Sequence, residues 1–189
     1  MKNFKSINTI KLLAILFVSS IMFVSCSSDD DDHDDHDHEE ELITTVTYKL
    51  TNGTDIVTIE FKDIDGDGSA LPTYSISGPL TANTTYTGAI ELLNETEDPA
   101  EDITEEVEEE GDEHEFFITS SISDIVITKT DVDEDGNPIG IESSLVTGDA
   151  STGTLTIILK HEPTKPNDGT SAGAGGSTDV EVTFDIEVQ

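Results

Sequence analysis

From Leu42 onward, apolar and polar residues alternate in short Thr-rich, β-branched runs separated by Gly, Asp, Asn and Pro. That pattern predicts strands. Val46, Tyr48 and Leu50 alternate with Thr47 and Lys49, and beyond Asn52-Gly53 the residues Val57, Ile59 and Phe61 alternate with Thr58 and Glu60. An Asn-Gly step between two such runs predicts a hairpin. Tyr74 and Ile76 predict a short third strand, and Thr84 to Leu93 a longer fourth with Tyr86, Ile90 and Leu92 on one face. Further strands are predicted over Glu115 to Thr119, Ile122 to Thr130, Ile139 to Val146 and Thr154 to Lys160. The last run is the clearest: Val180, Val182, Phe184, Ile186 and Val188 alternate with Asp179, Glu181, Thr183, Asp185 and Glu187. One of its faces should pack and the other should meet water.

One segment departs from this period. Asp98 stands as an N-cap before Pro99, acidic residues follow, and Gly111 occupies the place of a C-terminal glycine. Together these predict a helix from Pro99 to Glu110 with Ala100, Ile103 and Val107 on its inner face. Placed between strands, it would be a crossover closing one end of a sandwich. Gly169 to Ser177 (GTSAGAGGS) reads as a flexible loop before the last strand. About nine strands and one short helix predict an all-β fold, an immunoglobulin-like two-sheet sandwich with one short crossover helix. Its boundaries are residues 42–189.

The chain before Leu42 has a different texture. Ser27 to Glu41 reads SSDDDDHDDHDHEEE, without one apolar residue. Such a block cannot collapse, so residues 26–41 are predicted to be a disordered acidic tether. A flexible chain of this length averages about 20 Å end to end, and self-repulsion extends it toward a contour limit of roughly 50 Å. Before it, Lys2, Lys5 and Lys11 precede an apolar run of 13 residues from Leu12 to Val24. The run is too short for a bilayer core that needs roughly 20 residues, and its order is that of a secretory signal peptide over residues 1–25. Ser25 before Cys26 resembles the lipobox of bacterial lipoproteins, which implies that Cys26 becomes the lipidated amino terminus. Cys26-Ser27-Ser28-Asp29-Asp30 resembles the acidic export signal of Bacteroidota surface lipoproteins. That implies the exposed face of the outer membrane; a solvated spacer on a periplasm-facing lipoprotein is the alternative.

Charge narrows the partners. After cleavage at Cys26 the chain keeps all 42 acidic residues, five lysines and no arginine, a net charge of −37. Phosphate backbones are bound by Lys and Arg, so nucleic acid is excluded as a partner. Anionic headgroups are repelled too, and membrane attachment falls to the acyl chains. Divalent cations and cationic partners are favoured. With Cys26 spent on lipid, no thiol remains for a disulfide or a metal, and the core must come from Val, Ile, Leu and Phe without Trp.

Chemistry-bearing motifs are few. No G-x-S-x-G, Walker loop, H-E-x-x-H or dinucleotide fingerprint occurs, and no Ser/His/Asp spacing singles out a triad. Asp131-x-Asp133-x-Asp135-Gly136-Asn137, closed by Glu142, satisfies a calcium-loop pattern whose oxygens suit Ca²⁺. Its flanks read as strands, so an acidic hairpin turn is the competing reading. Asp63-x-Asp65-Gly66-Asp67-Gly68 begins the same way but has Tyr74 at the closing position. In the tether, His33, His36 and His38 stand among carboxylates. Imidazole suits Zn²⁺ and Cu²⁺, which predicts weak capture by a flexible chain unless the histidines merely interrupt a spacer. The remaining histidines are His114 and His161.

Several stretches resemble a family of small Bacteroidota lipoproteins: Thr84-Thr85-Tyr86-Thr87-Gly88, Leu93-Asn94-Glu95, PAEDITEEVEEE over 99–110 with Asp112 to Phe117, Gly136 to Gly140, Ser151 to Leu155, Leu159 to Pro163 and Asp179 to Phe184. The resemblance covers nearly the whole mature chain. Members often carry the label "type 1 periplasmic binding fold", a two-lobed α/β architecture of much longer chains, and the resemblance implies no particular activity. The predicted function is therefore a non-enzymatic, lipid-anchored cell-surface β-sandwich that binds a ligand or divalent metal, or assists an outer-membrane receptor in nutrient capture. The alternative is a structural or adhesion module whose acidity serves solubility. Replacing Cys26 by Ala should abolish both radioactive palmitate labelling and partition into membranes; a variant that still labels would refute the anchor.

Overall fold

The computed structural model describes residues 42–65 and 71–189. Residues 1–41, with Cys26 and the tether histidines His33, His36 and His38, and residues 66–70, with the end of the Asp63 to Gly68 run, lie outside them. The described chain is mostly β. Its strands are β1 (Thr45–Asn52), β2 (Asp55–Lys62), β3 (Thr73–Ile76), β4 (Thr85–Asn94), β5 (Glu101–Asp102), β6 (His114–Ser120), β7 (Val126–Lys129), β8 (Glu142–Val146), β9 (Ser151–His161) and β10 (Ser177–Val188). Two short helices, α1 (Ile103–Glu109) and α2 (Ser171–Ala174), complete it.

All strand pairings are antiparallel, in two sheets. One has the order β3-β2-β1-β4-β8-β7, with β5 paired to β4; the other has three strands in the order β10-β9-β6. The fourth strand returns beside the first, so the first four make a Greek key. The predicted hairpin is present: Asn52 pairs with Asp55, and Gly53 has φ +60 at the first of the two turn residues, where glycine adopts a positive φ without a steric penalty. The inner faces of both sheets join one core, in which Tyr48, Leu50, Tyr86 and Leu92 meet Leu155, Ile157, Val182 and Phe184. Tyr74 packs edge-on against Phe61 of its own sheet and Phe184 of the other, so an aromatic stack closes this edge of the sandwich.

The alternation of β4 and β10 is as predicted, with Tyr86, Ile90 and Leu92 buried and all five apolar residues of β10 inward. Two strands are shorter than their apolar runs. Ile122 is buried in a turn ahead of β7, closed by a hydrogen bond from the Ile125 amide to the Ile122 carbonyl at 3.2 Å. Ile139 is buried but precedes Gly140, whose φ of +97 ends any extended pairing before β8. The Ile139 carbonyl instead accepts from the Phe116 amide at 2.7 Å, covering part of the outer edge of β6.

The helix begins later than the sequence predicts. Glu101 and Asp102 pair with Asn94 and Leu93, and Asp102 rather than Asp98 is the N-cap, its side chain accepting from the Thr104 amide at 2.9 Å. A ladder position outcompetes a helical one here because Thr104 Oγ1 also accepts from the Leu92 amide at 2.9 Å, docking the first turn on β4. Ile103 and Val107 are buried as expected, whereas Ala100 is exposed. Gly111 follows the C-cap without a positive φ; its small size is what matters, since a Cβ would lie 2.6 Å from Ile139 Cδ1. The helix does connect the two sheets, leading from β5 to β6. Nor is Gly169 to Ser177 a featureless loop. Thr170 caps α2 by accepting from the Gly173 amide, and the Ala174 carbonyl accepts from Thr164 at 2.8 Å.

Tyr48 shows how tightly the sheets interlock. Its ring crosses β4 at Gly88 and its hydroxyl hydrogen bonds Ser143 on β8 at 2.7 Å, fully buried; burial pushes the phenol up to about 12. A Cβ at position 88 would lie 2.5 Å from Tyr48 Oη and 2.6 Å from Ser143 Oγ. Gly88→Ala should therefore cost about 1–3 kcal/mol through overpacking, lowering the urea midpoint at unchanged slope. Gly78→Ala, with nothing within 4 Å, is the control and should be near neutral.

Candidate metal centre

At one end of the smaller sheet, ladder pairing places His114, the first residue of β6, directly opposite His161, the last of β9. Side chains two apart on a strand share a face, so His114 follows Phe116 and His161 follows Leu159 toward the buried side. Both histidines are buried. The third residue arrives through an irregularity. Thr178 pairs with Lys160 and Val180 with Leu159, leaving Asp179 as the extra residue of a β-bulge. Simple alternation puts Asp179 on the water face. The bulge releases it from that alternation, and its side chain is only 2 % exposed.

The chain entering β10 must pass close over the end of β9 to build this arrangement. Gly176, with φ +68, permits it, because a Cβ there would stand 2.2 Å from the His161 carbonyl oxygen. Lys160 Nζ clamps the same crossing, donating to the Gly176 carbonyl at 3.1 Å and to Thr178 Oγ1 at 2.8 Å.

The ligand atoms of His114, His161 and Asp179 all lie within 4.8 Å of one another. His114 Nε2 is 4.0 Å from Asp179 Oδ2, and His161 Nδ1 is 3.9 Å from Asp179 Oδ1. These separations exceed a hydrogen bond. An ion bound at about 2.0–2.1 Å in tetrahedral geometry holds its ligands roughly 3.3 Å apart, so the group must draw together, the edges to Asp179 by roughly 0.6–0.7 Å, to close on one ion. His114 Nδ1 lies 3.2 Å from the Glu110 carbonyl, the C-cap of α1. A carbonyl only accepts, so Nδ1 is the donor in this contact and Nε2 is the nitrogen that faces Asp179. Metal-binding histidines are commonly oriented by such a carbonyl.

A second group, Glu113, His161 and Glu162, stands nearer the surface. His161 Nε2 is 3.7 Å from Glu113 Oε2. Glu162 has φ +50, a left-handed conformation for a residue with a side chain. Its amide is held by the Glu113 carbonyl at 2.7 Å. Two imidazoles and a carboxylate suit borderline ions such as Zn²⁺, Ni²⁺ or Fe²⁺ rather than hard Ca²⁺. The residues present thus fit a transition metal.

The sequence-predicted calcium loop is arranged differently. Asp131 accepts from the Gly140 amide at 2.9 Å and the Ile141 amide at 2.8 Å. Asp133 Oδ1 accepts from the amides of Asp135 and Asn137 at 3.0 and 2.7 Å, and Oδ2 from Lys165 Nζ at 3.2 Å. Gly136, φ +84, forms the tip. Asp135 and Glu142 are exposed, and among the described residues no three carboxylates of this loop bring ligand atoms within 4.8 Å of one another. With Glu108, Glu109 and Asp112, the side chains of Asp131, Asp135 and Glu142 line an acidic cleft of about 560 Å³. The acidic-turn reading describes these contacts.

The sequence noted His114 and His161 only as the histidines left over. A signal was present: strand parity puts both on apolar faces, two residues from Phe116 and Leu159, where an imidazole requires a polar partner. Asp179 carried no such signal.

Asp133 supplies a pH test. Burial pushes its carboxyl up, but the Asn137 amide, the Lys165 ammonium and the Asn137 side chain together hold it below the ordinary Asp value. A depressed folded pKa stabilises the fold above the unfolded value near 3.8 and is lost as pH falls through the lower folded one. Asp133→Asn should therefore lower the melting temperature near neutrality and flatten its fall below about pH 4, read by calorimetry across pH 2–7. Comparison of the chain with protein-family models, with characterised proteins and with solved structures finds no match to any of them.

Proposed function

We propose that this chain is a lipid-anchored, non-enzymatic β-sandwich of the outer-membrane surface that holds a divalent transition-metal ion at His114, His161 and Asp179. The observation that carries the reading is the convergence of two imidazoles and a carboxylate from three strands, with one imidazole oriented by the end of α1. Burial favours retention over turnover. The three side chains are at most 8 % exposed, as in closed structural sites, whereas catalytic sites keep an open position for substrate. Glu162, exposed, and Glu113, half-buried, offer an anionic approach from solvent to His161. The net charge raises the local concentration of cations around the whole molecule.

Other parts of the reading rest on the sequence. Cys26 anchors the chain, and the tether histidines His33, His36 and His38 would be a weaker Zn²⁺ or Cu²⁺ capture group on the way to the domain. The Greek key of the first four strands supports an immunoglobulin-like description of the sandwich. Assistance to a neighbouring outer-membrane receptor in nutrient capture is the partner role that fits a cation-holding surface lipoprotein.

The test is thermal unfolding with Zn²⁺ on a protein whose three tether histidines are changed to Asn, so that the tether cannot contribute. Zinc at 100 Kd should add about 2.7 kcal/mol, a rise of roughly 5–10 °C for a domain of this size. His161→Asn and Asp179→Asn should remove the rise while the far-ultraviolet spectrum stays β-rich. An unchanged melting temperature at saturating Zn²⁺, Ni²⁺ and Fe²⁺ would overturn the assignment.

A further inference from the structure

The opposite face of β6 carries a second constellation. Glu115, next to His114 and pointing the other way, is 3 % exposed. One of its carboxylate oxygens is in close contact with Lys129 Nζ at the end of β7. The other accepts from Asn167 Nδ2 at 2.6 Å, in the segment between β9 and α2. One carboxylate thus holds an amine and a carboxamide side by side. Lys129, Glu115 and Asn167 also line one cavity of about 420 Å³.

The surroundings suit a reaction between them. Lys129 Nζ sits 4.1 Å above the Phe117 ring, a Cβ placed at Gly140 would lie 3.1 Å from its Cδ, and burial lowers its pKa and favours the neutral amine. The Asn167 carboxamide is fixed at every polar corner. Nδ2 donates to Glu115 and to the Thr164 carbonyl at 3.0 Å, and Oδ1 accepts from the Gly169 amide at 2.8 Å. A backbone N–H aimed at the oxygen where negative charge would develop is the electrostatic element of acyl transfer.

We propose that Lys129 and Asn167 form an intramolecular amide cross-link, with Glu115 as the proton shuttle. Glu115 takes a proton from the Lys129 ammonium, and the freed Nζ lone pair attacks Asn167 Cγ. The carbonyl electron pair moves to Oδ1, held by the Gly169 N–H. Glu115 delivers its proton to Nδ2, the Cγ–Nδ2 bond breaks and ammonia leaves; the carboxylate then takes the second proton from Nζ and passes it to the ammonia, which departs as ammonium. The carbonyl re-forms, and Glu115 ends as the carboxylate it was at the start. One ammonium and one carboxamide become one secondary amide and one ammonium ion, with no oxidant or co-reactant. Holding both reactants on one carboxylate brings them to the group that would move the protons.

The bond would tie β7, at the edge of the larger sheet, to the segment that follows β9 of the smaller one. It would brace the sandwich where no cysteine pair can. It is independent of the metal reading, because the two use opposite faces of β6.

The test is intact-mass spectrometry of the purified full chain, compared with Lys129→Arg and Glu115→Gln processed identically. After allowance for each substitution, the wild type should weigh about 17 Da less, the mass of one ammonia. Digestion should yield one branched peptide joining Lys129 to Asn167. A wild-type mass with no deficit overturns the proposal, and this outcome does not depend on whether either variant folds. A deficit that persists in Lys129→Arg also overturns it, since it would mark succinimide formation at an Asn-Gly step such as Asn52-Gly53.

Discussion

His114, Glu115, Phe116 and Phe117 follow one another in β6 with all four side chains shielded from water, so a single strand must satisfy two buried faces at once. Residues of alternating parity point to opposite sides. His114 and Phe116 turn toward the core, and Glu115 and Phe117 toward the loops that cover the outside. An antiparallel sandwich usually leaves one face of each strand to solvent. Covering the second face of β6 requires partners from distant segments: Lys129, the 131–141 turn and the 162–170 segment. The turn and the segment are in turn shaped by what β6 needs, since the Ile139 carbonyl satisfies Phe116 and Asn167 satisfies Glu115.

That arrangement also explains where the few positive charges go. Of the five lysines that follow Cys26, Lys129 and Lys165 are drawn inward to Glu115 and Asp133. Lys165 additionally donates to the Gly111 carbonyl, linking the 162–170 segment to the end of α1. Breaking a buried pair leaves an uncompensated charge and is far costlier than losing a surface one. Lys62, by contrast, is partly exposed. Glu95, hydrogen-bonded to it, raises its pKa, but such a pair contributes little to stability in water. In a chain of strong net negative charge, these inward lysines act locally and leave the outer field almost untouched.

The two faces of β6 suggest one economy of design. His114 brings a metal-competent group to the core end of the strand, and Glu115 brings an amine and a carboxamide together on the other side. A chain with a single cysteine would gain rigidity from either device. A metal would join β6, β9 and β10 within one sheet, whereas the amide would join the two sheets at their edge.

Much of the fold was legible from local pattern. Period-two alternation identified β1, β2, β4 and β10 and the buried face of each, because the pleat alone decides which side chains share a face. Pattern misled where local chemistry had two solutions. Asp98-Pro99 is a sound helix start, but the ladder beside β4 claimed residues 101–102 first and moved the cap to Asp102. The calcium spacing was real, yet Asp131 and Asp133 turned to backbone amides and Lys165. The candidate site was decided by tertiary structure alone. His114 meets His161 only through the register of β6 on β9, and Asp179 reaches them only because a bulge overrides its alternation. Glu115 meets Lys129 and Asn167 only because its strand is covered on both faces. Register and burial depend on contacts between segments far apart in the chain, and no window of sequence contains them.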